Sequence, residues 1–377
     1  RRELVSTGYP QLRFSAGASF APAAHNFGYD PAITDKGQLS SQLILEQPIY
    51  DSGRRRLKIE QADLDIERLS IEQQLAGRDL EFSVKEAFFE ILRSQSEVSL
   101  RSESARQLSE YLDLVRSLNA GGAVGYTDVL RTQTELQNAR LAVDESRQLV
   151  AAAKYSLAEL LGTPQDTSFV LSGTLDSMTS SAADSAAVPV PYDSSQNLDV
   201  ITSQLAYERS IADVRDAQKE KLPTLSLVAD AGYLTSRDNL QLPASERISG
   251  LGYSAGLLFE LPIFDWGGRK YRVQQRQLEA ESARLQTESL NRSISVEYRK
   301  GLVEMQTARA RLRVVREGMK TAEDNFLLTK SKYAGGSAPA SDVLSAQQLL
   351  TESRLSEIET LAELATLQAK LERLTAH

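Results

Sequence analysis

A constant interval runs through this chain. Pro48-Ile49-Tyr50-Asp51-Ser52-Gly53 returns 214 residues later as Pro262-Ile263-Phe264-Asp265-Trp266-Gly267. Thr127-Asp128-Val129-Leu130, which closes a glycine-rich stretch, returns at the same interval as Ser341-Asp342-Val343-Leu344. Gln133 then meets Gln347, and Arg140-Leu141 meets Arg354-Leu355. Upstream, Tyr9-Pro10-Gln11-Leu12 matches Leu222-Pro223-Thr224-Leu225 at an interval of 213, so one loop differs by a residue. A tandem duplication of this kind must build one structural unit twice. Repeat one spans 1–162 and repeat two 193–377, with 163–192 as a linker rich in Ser, Thr, Ala, Asp and Pro. Repeat two opens with a helical stretch to Lys221 of which repeat one keeps only the tail. The reading is that a longer natural chain, with a signal peptide and an N-terminal helix, precedes residue 1.

Within each repeat two periods alternate. Leu12, Phe14, Ala16, Ala18 and Phe20 share one face of an extended stretch, with Arg13, Ser15, Gly17 and Ser19 on the other. A second strand follows a polar loop containing His25 and ends near Pro48, so the strands of repeat one lie at about 10–48. In repeat two, strands over about 223–262 carry Leu225, Leu227, Ala229, Ala231 and Tyr233, then Leu251, Tyr253, Ala255, Leu257, Phe259 and Leu261. About ten residues is what a tilted membrane-barrel strand needs.

Helical hairpins follow, over about 53–162 and 267–376. Val84, Phe88, Ile91, Val98, Ala105, Leu108, Leu112 and Val115 step by threes, fours and sevens, the seam of a coiled coil. Their counterparts are Tyr298, Leu302, Met305, Leu312, Met319, Ala322, Phe326 and Thr329, seven of them apolar. At 1.5 Å per residue the long arm of each hairpin is about 100 Å. Gly121-Gly122-Ala123 and Gly335-Gly336-Ser337 interrupt the helices as stops, and Thr127 and Ser341 are expected to cap the helices that follow.

Composition excludes several chemistries. There is no Cys, and the only two His, His25 and His377, are far apart, so no thiol nucleophile, Ser-His-Asp arrangement or His metal cluster is expected. No cofactor or metal is expected. A net charge of −8 with both signs scattered argues against nucleic acid as a partner. No apolar run is long enough for a transmembrane helix. Four strands per chain in lipid would leave two open edges, each unpaired backbone group costing several kcal/mol, so several chains must close together. Three is the smallest number giving twelve strands, enough for an aqueous lumen. On periodicity alone, a soluble coiled-coil scaffold without transport activity is the alternative.

These features together resemble the TolC-like outer-membrane efflux family. The resemblance covers essentially the whole chain. It is carried by the doubled strand–loop–strand–helix–tip–helix unit, the Pro-Ile-Tyr/Phe-Asp-x-Gly junction, the tip ending Thr/Ser-Asp-Val-Leu, and Leu-Ala-Glu-Leu-Leu-Gly at 157–162. It implies a fold that is mainly α with membrane β, trimerising into a 12-stranded β-barrel in outer-membrane lipid and a 12-helix tunnel in the periplasm. It implies a passive exit duct for efflux or type I secretion, not an enzyme, docked to a periplasmic adaptor protein and, through it, to an inner-membrane transporter. The periplasmic aperture of the family falls on Asp342, with Ser345 where the best-known member has a second acid one turn on. That member's closed-state lock matches Asp128 and Tyr333, while its Arg partner falls on Ala338. Gly121, Gly122, Ala123, Gly335, Gly336 and Ser337 are candidates for adaptor docking. Pro48, Tyr50, Pro262, Phe264 and Trp266 mark the strand-to-helix junctions, where aromatic side chains suit a membrane–water boundary.

Overall fold

The structure is a computed structural model, and it describes residues 1–19, 38–163, 166–169, 171–177, 192–236 and 250–375. His25, Phe20 and His377 lie outside the described residues, as does most of the linker. In chain order the elements are α1 (Arg2–Ser6), β1 (Gln11–Ser19), β2 (Gln38–Tyr50), α2 (Arg54–Ala120), α3 (Tyr126–Leu160), α4 (Leu198–Lys219), β3 (Thr224–Ser236), β4 (Gly250–Glu260), α5 (Gly268–Ala334) and α6 (Ala340–Thr375). The two long arms, α2 and α5, are each 67 residues. Gly77 sits inside α2 without interrupting it. The chain divides into two compact units, one of residues 1–71 and 202–288, the other of 72–201 and 289–377.

The first unit holds the sheet, four antiparallel strands in the order β1-β2-β3-β4. Its register lines up residues of like character across all four strands. One row runs Phe14, Leu43, Ala231, Tyr253; the next runs Leu12, Leu45, Ala229, Ala255. The intervening row is Arg13, Ile44, Asp230, Ser254, with Ser254 Oγ donating to the Asp230 carboxylate. Side chains alternate across a strand, so one face is almost wholly apolar and the other mostly polar or glycine. The apolar face is bare: Leu12, Phe14, Leu251, Tyr253, Leu257 and Phe259 are all exposed.

Pro48 does not end its ladder as expected. It lies opposite Ser226, and the strand continues through a register shift to Tyr50, opposite Leu225. A bulge is one of the few places a strand tolerates the missing N–H of proline. Pro262, in contrast, falls beyond the end of β4.

Both strand-to-helix junctions make the same turn. Ser52 and Gly53 have φ of 59° and 74°, and Trp266 and Gly267 have φ of 55° and 85°. The Asp51 carboxylate accepts the N–H of Gly53 at 3.0 Å and of Arg55 at 2.8 Å. Asp265 accepts those of Gly267 at 3.2 Å and Arg269 at 2.7 Å. The first N–H groups of a helix have no partner within it, and the aspartate supplies one. That is the physical content of the doubled Pro-Ile-x-Asp-x-Gly motif.

The second unit is helical. Of the predicted seam in α2, Ile91, Leu108, Leu112 and Val115 are buried, and Val84, Phe88, Val98 and Ala105 are half-buried. In α5, Tyr298, Leu312, Ala322 and Phe326 are buried. No helix among the described residues is long and apolar enough to cross a membrane.

Candidate functional site

The hairpin tips lie in the second unit, where one apolar cluster draws on four helices: Tyr111 and Val115 of α2, Val129 and Leu136 of α3, Phe326 and Tyr333 of α5, and Val343 and Leu350 of α6. Each tip closes in the same way. Gly122 N–H donates to Asn119 O and Ala123 N–H to Leu118 O, both at 2.9 Å. Gly336 N–H donates to Tyr333 O and Ser337 N–H to Lys332 O, also at 2.9 Å. This paired bonding consumes the last helix carbonyls and requires a left-handed residue, here Gly122 at φ 74° and Gly336 at φ 73°. Gly121 and Gly335 have no such angle, so only the second glycine of each pair is conformationally required.

The expected caps are corrected by the structure. Helix α3 starts at Tyr126, its N-cap is Gly125, and no side chain caps it. Thr127 is therefore inside the first turn. Helix α6 starts at Ala340, which places Ser341 inside its first turn as well. Backbone does the capping: Asp128 N–H donates to Gly125 O and Asp342 N–H to Pro339 O, both at 3.1 Å. Asp128 and Asp342 are the acidic residues of those first turns, where the positive end of the helix dipole favours a carboxylate.

The two aspartates sit differently. Asp342 and Ser345 are exposed, whereas Asp128 is half-buried beside the apolar cluster. Neither carboxylate is in an ion pair with a described residue. Tyr333 is buried, and its ring meets that of Tyr111 edge-on with centroids 5.3 Å apart. Neither phenol finds a hydrogen-bond partner among the described residues. Burial pushes both phenols up from their ordinary values, and the charge of Asp128 adds to this. Tyr333 and Asp128 thus share one environment, with Tyr111 as a third member. Tyr111 stands one place before the seam residue Leu112, and nothing in its local pattern marks it. Ala338 is half-buried and offers no charge.

A groove beside this cluster is lined by Arg101, Arg131, Glu135, Gln347 and Glu352. Gln347 is buried and donates to Ser104 Oγ at 3.2 Å and to Gln107 Oε1 at 3.1 Å. At the strand-to-helix junctions, Tyr50, Phe264 and Trp266 are all exposed, and the Phe264 and Trp266 rings meet at 4.9 Å.

The family model for "Outer membrane efflux protein" matches residues 6–163 and 194–377. The chain belongs to the outer membrane efflux protein family. Nodulation protein T of Rhizobium leguminosarum bv. trifolii is 23% identical over 345 residues, 90% of this chain and 70% of that protein. The probable efflux pump outer membrane protein TtgC of Pseudomonas putida is 25% identical over 291 residues, 73% of this chain and 57% of that protein. In fold, the chain is similar to the outer membrane protein VceC of Vibrio cholerae, with a TM-score of 0.78 at 16% identity, over 99% of this chain and 88% of that one. The protein is an outer-membrane exit duct for efflux or type I secretion, with its helices on the periplasmic side. The alternative of a soluble coiled-coil scaffold finds no support.

Proposed function

We propose that three copies of the chain close into one twelve-stranded barrel and a twelve-helix tunnel, a passive duct whose tips dock a periplasmic adaptor joined to an inner-membrane transporter. The observation that carries this is the division of the sheet. Its apolar face is continuous across four strands and exposed, its opposite face bears Arg13, Glu46 and Asp230, and β1 and β4 are its two open edges. Lipid accepts the first face and excludes both the second face and the edges, so a closed barrel with a wet lumen satisfies all three.

Asp342 is the aperture candidate, since three copies would ring the narrow end, and an acidic ring at a constriction favours cations. Asp128, Tyr333 and Tyr111 hold the neighbouring tip, and Ser345 leaves the ring single. The tips would meet the adaptor at Gly121, Gly122, Ala123, Gly335, Gly336 and Ser337, all exposed.

Two measurements test the reading. Native mass in detergent should give a trimer, and a monomer would overturn it. In a strain lacking its own exit duct, this chain with candidate adaptor–transporter pairs restored one at a time should raise the tolerated dose of exported compounds. Gly336→Trp should abolish that gain while the trimer persists; unchanged efflux would reject docking at the tip.

A further inference from the structure

The duplication can be used as a ruler, because it relates pairings inside the sheet. In the first hairpin Leu12 lies opposite Leu45; the equivalent residues of the second, Leu225 and Phe259, also lie opposite each other. The intervals of 213 and 214 read from the sequence therefore reproduce the hairpin register residue for residue. One strand contact joins the two copies, that of β2 with β3. Moved by the same intervals, it demands that β4 lie beside β1. Leu45 opposite Ala229 becomes Phe259 opposite Ala16, and Leu43 opposite Ala231 becomes Leu257 opposite Ala18. Tyr50 opposite Leu225 becomes Phe264 opposite Leu12.

Within one chain β4 and β1 are the two outer edges of the sheet, so a second copy must supply the pairing. The face assignment is independent of this shift, and it agrees. Phe259 and Ala16 both belong to the apolar face, whereas a slip of one residue would set Phe259 against Ser15.

The junctions mark the same seam. Ser52 is 7% exposed, because its hydroxyl donates to Pro223 O at 2.7 Å, at the mouth of β3. Its counterpart Trp266 has the same left-handed backbone and is 88% exposed, with Ile263 at 90% and Phe264 at 71%. A positive φ at a bulky residue is costly, and here it holds out the chain's only Trp. The residue equivalent to Pro223 is Pro10. In-chain, Arg54 Nε reaches Asp216 Oδ1 at 3.0 Å beside this point; its counterpart is Gly268, which has no side chain to make such an ion pair.

We propose that β4 of one subunit pairs antiparallel with β1 of the partner subunit, Phe259 opposite Ala16 of the partner subunit, and that Trp266 and Phe264 seat on Tyr9, Pro10 and Leu12 of the partner subunit. This rests on the closed multi-subunit barrel of the proposed function and adds its register and its anchor.

The chain has no Cys, so introduced thiols report alone. Opposed residues of antiparallel strands have Cα atoms about 4.5–5.5 Å apart, within the span of a disulfide. In outer membranes treated with copper–phenanthroline, the double variant A16C/F259C should give covalent dimers and trimers that reductant dissolves. F14C/F259C, a slip of two that preserves the faces, should stay uncrosslinked, and L45C/A229C should crosslink within one chain, which verifies folding. A trimer that crosslinks through the slipped pair overturns the register and leaves the barrel standing. A monomer by native mass, or a 16–259 link within one chain, overturns both. Acrylamide should quench Trp266 several-fold less in the native oligomer than it quenches a free indole; equal quenching overturns the aromatic seat.

Discussion

At the tips single residues can be separated by the work they do. Gly122 and Gly336 hold left-handed angles, and a side chain there is disfavoured by about 1–2 kcal/mol even with open space around it. Gly336→Ala should therefore lower thermal stability by about that amount, and Gly335→Ala, where a Cβ meets only ordinary contacts, should be neutral or slightly stabilising. Equal melting shifts for the two would reject the assignment. The buried phenols give a second test. Burial holds Tyr111 and Tyr333 protonated in the folded chain, while in the unfolded chain they ionise near pH 10. Above that pH the unfolded state binds fewer protons, so stability is whole below about pH 10 and falls as pH rises beyond it. The pair Tyr111→Phe and Tyr333→Phe keeps the rings, removes two unsatisfied hydroxyls, and should flatten the alkaline loss measured by circular dichroism. An unchanged alkaline midpoint would count against these phenols as its source.

At the scale of elements, what could be read in the sequence follows from range. The long helices and the two strand faces were legible because period 3.6 and period 2 are properties of neighbours in sequence. The caps are not legible in it, since Thr127-Asp128 and Ser341-Asp342 have the composition of a capped helix start while backbone carbonyls of Gly125 and Pro339 receive the free N–H groups. The Pro48 bulge depends on where β3 lies, and the burial of Tyr111 depends on four helices meeting, neither of which is local. Asp51 and Asp265 were visible as a motif but not as caps, because their role appears only with the left-handed turn. Asp51→Ala should cost about 1 kcal/mol of stability, the usual loss of a helix cap. Asp51→Asn, which keeps one acceptor, should recover part of it; equal losses in a melting series would place the effect elsewhere.

At the scale of the molecule, the proposed barrel puts the sheet in the membrane, and no described helix is long and apolar enough to cross one. The two faces of β4 then have opposite tolerances. Leu257 and Gly256 are adjacent, near the middle of Gly250–Glu260, and point to opposite faces. Both sites are sterically open: Leu257 is exposed, and a Cβ on Gly256 meets nothing within 4 Å. An arginine on the lipid face near the bilayer midplane costs about 2–4 kcal/mol, and one facing a wet lumen is hydrated. In the proposed trimer each barrel carries three copies, which multiplies the difference. Leu257→Arg should therefore sharply reduce the amount of protein recovered in the outer membrane, while Gly256→Arg should assemble at near-normal levels and shift single-channel selectivity away from cations. If Gly256→Arg failed to insert and Leu257→Arg inserted normally, the faces would be reversed. That reversal would leave the β4–β1 register standing, because the repeat interval sets Phe259 against Ala16 and requires only that both lie on one face, whichever solvent that face meets.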